Sequence, residues 1–421
     1  MSAPLIEPPT ASGAIVDTTR CRTGMARLSV GVFVVLVSLF APLLGTSVVL
    51  LPARLADIVP DQKVSVLAAL SAAAAILAFL SALIFGTISD RTRHRLGRRN
   101  PWVLVGTGLT SGATLLVAEA HGLPLLAVAF LLQVVGANIA LGAIQPVMPD
   151  RVPIASRGRV STAIGLGTLI GGTLGIGAAS AFLDSGFVAY LTLAVICLVF
   201  GALYQVLAPD FSSKGDPRAA EDRRIFASMA FPKNAPDFYW AFFGRFAVML
   251  GYYTISGYQL YILTDYLELD NDAAARLLST AALVNLAGAL IGALLGGPIS
   301  DLIKRRKPVT MLSAAFIAFG VLIPLLVPSE LGFLAYMGIS GIGLGMFLSV
   351  DSALLSQVLP PGRTHGKNLG ILALATNAGQ FVGPLIGSGI VAAVGFSLTF
   401  VAGCIIAGIG ALLIVPIKGV R

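Results

Sequence analysis

Apolar residues come in twelve long runs, separated by short polar connections. The runs cover residues 28–52, 64–86, 101–120, 124–148, 160–183 and 186–207, then 236–263, 276–298, 309–327, 331–357, 369–392 and 396–416. Each reaches the roughly 20 residues that a helix needs to cross the hydrocarbon core of a bilayer. None shows the short apolar–polar alternation of membrane β-strands. The pattern predicts an all-α membrane protein with twelve transmembrane helices. Gly and Ala recur inside the runs, most densely in "GLGTLIGGTLGIG" from Gly165 to Gly177, as suits close helix packing in lipid.

Composition agrees. Of 421 residues, 56% are hydrophobic and 11% charged, and the mean hydropathy is +0.90. That leaves too little charge to clothe a soluble domain of this size. The net charge of +8 raises the question of a nucleic-acid partner. Its distribution argues against one, because the basic residues cluster in connections between runs. They fill the first tail, the 2–3, 4–5, 8–9 and 10–11 connections, the middle segment and the last tail. With twelve spans these all fall on one side; the other side has Arg54, Lys63 and Arg276. The positive-inside rule then places both termini in the cytoplasm and the protein in the inner membrane. The expected organisation is a cytoplasmic tail (1–27), a six-helix bundle (28–207), a cytoplasmic central loop (208–235), a second six-helix bundle (236–416) and a short tail (417–421). The first tail lacks the apolar centre of a cleaved signal.

The connection "GTISDRTRHRLGRRNPWVLVG" has a fainter counterpart half a chain later, "GPISDLIKRRKPVTML". Gly86 and Asp90 recur as Gly297 and Asp301, each pair followed by clustered basic residues and a proline that opens the next span. The repeat predicts two pseudo-symmetric six-helix bundles, an arrangement used by carriers that rock one half against the other around a central site.

At these residues the chain resembles the major facilitator superfamily, over essentially all twelve spans. The signature is Gly86, Asp90, Arg91, Gly97, Arg98 and Arg99. Its form is similar to the glycoside–pentoside–hexuronide:cation symporters and the sucrose/proton-type solute carriers. The resemblance implies a gate in which Asp90 faces the start of span 11, where free amides and the helix dipole favour a carboxylate. Arg98 or Arg99 would pair with Asp150, and Asp301, followed by Arg305, would form a weaker second gate. Topology alone accounts for most of the arginines; the paired spacing of Asp90 and Asp301 points to gating.

Charge inside a span costs about 2.5–3.5 kcal/mol on insertion scales, so the few instances matter. Arg245 and Asp351 lie at similar depth in spans 7 and 10, which the resemblance places at the central cavity. Two readings stand for them: a proton-coupling carboxylate tuned by an arginine, and a structural ion pair. Gln133, Asn138 and Gln145 of span 4, Tyr252, Tyr253 and Gln259 of span 7, and Asn377 and Gln380 of span 11 are expected to line the cavity with amides and phenols. Asn285 of span 8 belongs with them. Trp102 and Trp240 read as interface anchors.

No nucleophile–base pair, phosphate-binding glycine loop or metal-ligand spacing occurs in the sequence, so neither an enzyme nor a cofactor is expected. The expected partners are the bilayer, a small-molecule substrate and protons, with no nucleic acid, and the expected state is a monomer. The expected function is secondary transport. Sparse charge and the absence of a central Trp tip the substrate toward efflux of amphipathic compounds. The basic-loop signature keeps a sugar or glycoside/proton symporter as the alternative. A transport-fold receptor or assembly factor is the reading from another class.

Overall fold

A long apolar run satisfies its backbone polar groups internally by coiling into a helix, because lipid offers them no partners. The computed structural model describes residues 24–147, 151–153, 156–210, 235–358 and 365–417. Among these, twelve long helices follow the predicted spans, and no strand occurs. The first half contains α1 (Met25–Leu44), α2 (Lys63–Arg91), α3 (Asn100–Ala118), α4 (Leu123–Ile144), α5 (Arg157–Ala181) and α6 (Phe187–Leu207). The second half contains α7 (Pro236–Ser256), α8 (Asn271–Ile303), α9 (Arg306–Leu326), α10 (Glu330–Val358), α11 (His365–Val394) and α12 (Phe396–Leu413). Ten candidate spans among the described residues are long and apolar enough to cross a membrane. The helices α7 and α11 complete the twelve.

Two irregularities break the predicted continuity. Past Leu44, α1 continues as a π-helical stretch (Gly45–Leu50) and then an α-helical piece (Leu51–Ile58). The π stretch starts three residues after Pro42, which removes a backbone donor from the preceding turn. Past Ser256, α7 pauses at Gly257 and Tyr258 and resumes as Gln259–Tyr261 and the π-helical Ile262–Tyr266. Several helices also outrun their apolar segments. With 33 residues, α8 is about 50 Å long, because helical hydrogen bonds persist beyond the point where side chains turn polar.

Packing repeats with the sequence. The neighbours of α1 are α5 and α6, and those of α7 are α11 and α12. Likewise α4 packs on α2 and α3, and α10 on α8 and α9; α3 meets α6 as α9 meets α12. The halves meet through α2 with α11 and α5 with α8. Each of these pairs has its counterpart six helices on, so the duplication seen in the loops extends through the packing.

Lipid tails are as apolar as leucine, so close van der Waals contact, rather than hydrophobic exclusion, drives these helices together. On α5, Gly167, Gly171 and Gly175 lie against Phe33, Val37 and Ala41 of α1. On α11, Gly379, Gly383 and Gly387 lie against Leu250, Tyr253 and Thr254 of α7. The two ladders share a four-residue spacing and stand at equivalent places in the two halves.

The apolar core is asymmetric along the helix axes. At the end away from the termini, one cluster joins both halves: Leu51, Leu55, Leu67 and Leu193 share it with Tyr258, Tyr261, Leu278 and Phe333. Toward the termini the buried clusters divide. One, around Leu28, Val103, Ile144 and Tyr204, belongs to the first half. The others, around Phe238, Val248 and Val309, belong to the second. Among the described residues, no buried apolar cluster crosses between the halves there.

Candidate functional site

The first half contributes Gln133, at the middle of α4 and fully buried. Its Nε2 lies 2.8 Å from Thr46 Oγ1 and from Thr114 Oγ1, and 3.2 Å from the Pro42 carbonyl. The amide therefore ties α4 to α3 and to the irregular part of α1, and Gln133 Oε1 has no partner among the described residues. Asn138 donates to the Val134 carbonyl of its own helix. Gln145 is exposed at the end of α4.

The second half brings several polar side chains to one place. The Tyr252 phenol, in α7, lies beside the Asn285 amide of α8, and Asn285 Nδ2 donates to the Met337 carbonyl of α10 at 3.0 Å. The Tyr252 and Tyr253 rings meet edge to face, with centroids 5.2 Å apart. Gln259, just past the α7 break, is 5% exposed and points Nε2 at Met337 Sδ. The Tyr336 phenol of α10 sits beside the Gln259 amide. Neither Tyr336 Oη nor Gln259 Oε1 has a hydrogen-bond partner among the described residues. A buried polar atom left unpaired costs about 1–3 kcal/mol, so this pair is poised to accept a hydroxyl or water. Sequence reasoning missed Tyr336: a single tyrosine within an apolar run gives no periodic signal to separate it from a packed aromatic.

Arg245 is half-buried in α7, and its Nε donates to Thr376 Oγ1 of α11 at 2.6 Å. Asp351 lies on α10, a helix that also touches α7. The side chains of Asp351 and Asn377 lie outside the described residues. Gln380 is exposed on α11.

Around the signature loop, Asp90 and Asp301 fall in the last turns of α2 and α8. Their side chains, and the whole of Asp150, lie outside the described residues. A Cβ on Gly86 would approach only the Gly142 carbonyl of its own half, and one on Gly297 would meet nothing within 4 Å. Gly97 has φ +91°, and Asp210 lies against it so closely that any side chain would overlap. Arg99 is buried and donates to Ser89 Oγ at 3.1 Å. Arg98 is half-buried and Arg91 exposed. Arg151 holds the Pro209 carbonyl at 2.6 Å and stands 3.8 Å from Asp210. The signature loop, at Gly97, and the 4–5 connection, at Arg151, thus both meet the chain where it leaves α6. Trp102 is pinned by its Nε1, which donates to Thr92 Oγ1, and its ring lies tilted against Phe85, whereas Trp240 is exposed.

At the opposite end, Lys63 Nζ bonds the Asp265 carboxylate at 2.7 Å and lies 4.9 Å from the centre of the Tyr261 ring. Tyr261 Oη in turn donates to the Pro52 carbonyl at 2.9 Å. These links join the halves over the shared apolar cluster. Among the described residues, side chains thus tie the two halves together at the end away from the termini.

Known proteins match this description. The model of the Major Facilitator Superfamily matches residues 25–269 and again 241–419. Inositol transporter 4 of Arabidopsis thaliana is 30% identical over 141 residues, 33% of this chain and 24% of that protein. Probable inositol transporter 3 of the same plant is 29% identical, also over 141 residues. The matched stretch is therefore about a quarter of these relatives' length. Among solved structures, the nucleoside transporter NupG superposes with a TM-score of 0.70 at 16% identity, covering 93% of this chain and 98% of that one. The D-xylose-proton symporter gives 0.67 at 15% identity, with the same coverage. A bacterial homologue of the lysosomal transporter Spinster, in an inward-facing unoccupied conformation, gives 0.65 at 15%, covering 93% and 95%.

Proposed function

Because this chain belongs to the Major Facilitator Superfamily, we propose that it is a secondary transporter carrying a neutral, hydroxyl-rich solute of the sugar or cyclitol class by alternating access. The observation that carries the solute class is the set of buried Tyr252, Gln259 and Tyr336 with half-buried Asn285, in which two polar atoms have no hydrogen-bond partner among the described residues. Amides and phenols match hydroxyl groups one for one and reject solutes that leave them unpaired. The partial likeness to inositol transporters supports the same class. Efflux of amphipathic compounds remains the second reading, favoured by the sparse charge along the spans.

Coupling to protons is assigned to Asp351, with Arg245 as its electrostatic partner: solute arrival shifts the arginine and so the affinity of the carboxylate for a proton. Asp90 and Asp301 serve as gate acids, with both termini in the cytoplasm of an inner membrane and one chain as the working unit.

The test is solute-dependent proton movement in proteoliposomes holding a pH-sensitive dye, challenged with sugars, inositol and amphipathic cations. The proposal expects a response to a sugar or to inositol that Asp351→Asn abolishes. A response confined to amphipathic cations, with opposed proton flow, replaces it with the efflux reading. Full coupled transport by the Asp351→Asn protein removes the coupling assignment.

A further inference from the structure

Where α9 begins and α12 ends, the second half has an open groove of about 900 Å³. Its walls are Met311, Leu312 and Ala315 of α9, with Ala411 and Val415 from α12 and the residues after it. Leu312 and Val415 are about half exposed. At its mouth stand Arg305 and Lys307. Lys307 Nζ is committed to the chain, donating to the Val415 carbonyl at 2.8 Å and to the Ile417 carbonyl at 2.6 Å. It caps the end of α12, where a cation is favoured by the helix dipole. Arg305 is exposed, and its guanidinium has no partner among the described residues.

The equivalent corner of the first half is filled. There Asn100, at the start of α3, donates to the Ala208 carbonyl beyond α6. Gln205 reaches back to the Asn100 carbonyl, and Arg151 holds Pro209. The described chain covers that corner and leaves its counterpart open.

We infer that the α9–α12 groove holds one anionic phospholipid from the leaflet on the side of the termini. The headgroup phosphate sits on Arg305 and is reinforced by Lys307, and an acyl chain lies along Met311, Leu312 and Ala315. Both helices cross the membrane, so the groove opens onto lipid. Its apolar floor meets two cations at one end, the charge and shape complement of a single anionic lipid. An arginine fork binds phosphate through paired hydrogen bonds, and a nearby lysine adds point charge. Arg305 then anchors the second half to the bilayer surface.

The experiment is native mass spectrometry of the full chain titrated with phosphatidylglycerol or phosphatidylcholine of identical acyl chains. The expected result is one phosphatidylglycerol retained under activation that strips phosphatidylcholine. Arg305→Gln should weaken that retention about tenfold or more, the effect of losing a charge-assisted pair of hydrogen bonds, while phosphatidylcholine binding stays unchanged. Ala315→Phe, at an exposed position that tolerates bulk, should fill the floor and lower retention of both lipids. Equal retention of the two lipids by the natural chain, or an Arg305→Gln protein that keeps the preference, overturns the inference. Full displacement by inorganic phosphate alone overturns the acyl-chain part.

Discussion

The ammonium of Lys63, at the start of α2, and the carboxylate of Asp265, in the extension of α7, are 2.7 Å apart and join the two halves at the end away from the termini. Both side chains are partly exposed, at 22% and 29%, which limits such a pair to about 0–1 kcal/mol. The pair does not act alone, since Tyr261 beneath it reaches Pro52 across the same seam.

Breaking this seam should open that end. Lys63→Met is expected to raise the population open at the far side about two- to fivefold, the shift that ~0.5–1 kcal/mol allows. Lys63→Met combined with Tyr261→Phe should shift it further. Spin-label distances across the α2–α8 end would register the change; an unaltered distance distribution in the double variant would sink the assignment.

Tyr336→Phe removes an oxygen that has no hydrogen-bond partner among the described residues. The melting temperature in detergent should therefore hold or rise, while affinity for the solute falls about tenfold, since the bond is made only to solute. A clear loss of stability with unchanged affinity would make Tyr336 a packing residue.

Gln133→Leu should behave in the opposite way. The amide is spent on Pro42, Thr46 and Thr114 inside the first half. Its loss is expected to cost about 1–3 kcal/mol of stability and to leave solute affinity within about twofold once folded protein is counted. A tenfold loss of affinity in a stable variant would return Gln133 to the cavity lining.

The glycine ladder on α5 gives a graded test. A Cβ at Gly175 would fall on the Ala41 carbonyl, whereas one at Gly177 would meet nothing within 4 Å. Gly175→Ala is expected to destabilise by about 1–3 kcal/mol through overpacking, and Gly177→Ala to be neutral or slightly stabilising. Equal melting temperatures for the two would refute the close approach of α1 and α5.

Spans, their duplication and the family resemblance were legible in the sequence because each rests on many residues at once. A twenty-residue apolar run tolerates several exceptions and still reads as a span. The π stretch Gly45–Leu50 was not legible: it depends on side chains brought from other helices, such as Gln133, which donates to the Pro42 carbonyl and to Thr46. The α7 break at Gly257 was likewise hidden, because one glycine in an aromatic-rich helix carries no direction. The Lys63–Asp265 link was out of reach for a different reason. It joins positions 202 residues apart, and charge counting assigns each to a membrane side without pairing them. Gly97 was legible as part of a motif but not in its role. Its φ of +91° and its contact with Asp210 come from the loop folding back onto the exit of α6.

The apolar cluster shared between the halves has a consequence during synthesis. Leu51, Leu55, Leu67 and Leu193 are complete in the first half, but their partners Tyr258, Leu278 and Phe333 emerge from the ribosome later. At roughly 5–20 residues per second, the first bundle waits on the order of 10–40 s for the second to be made. Through that interval lipid tails must cover the surface that the second half will take. The nascent chain therefore passes through a half-built stage whose survival depends on the surrounding bilayer as much as on its own residues.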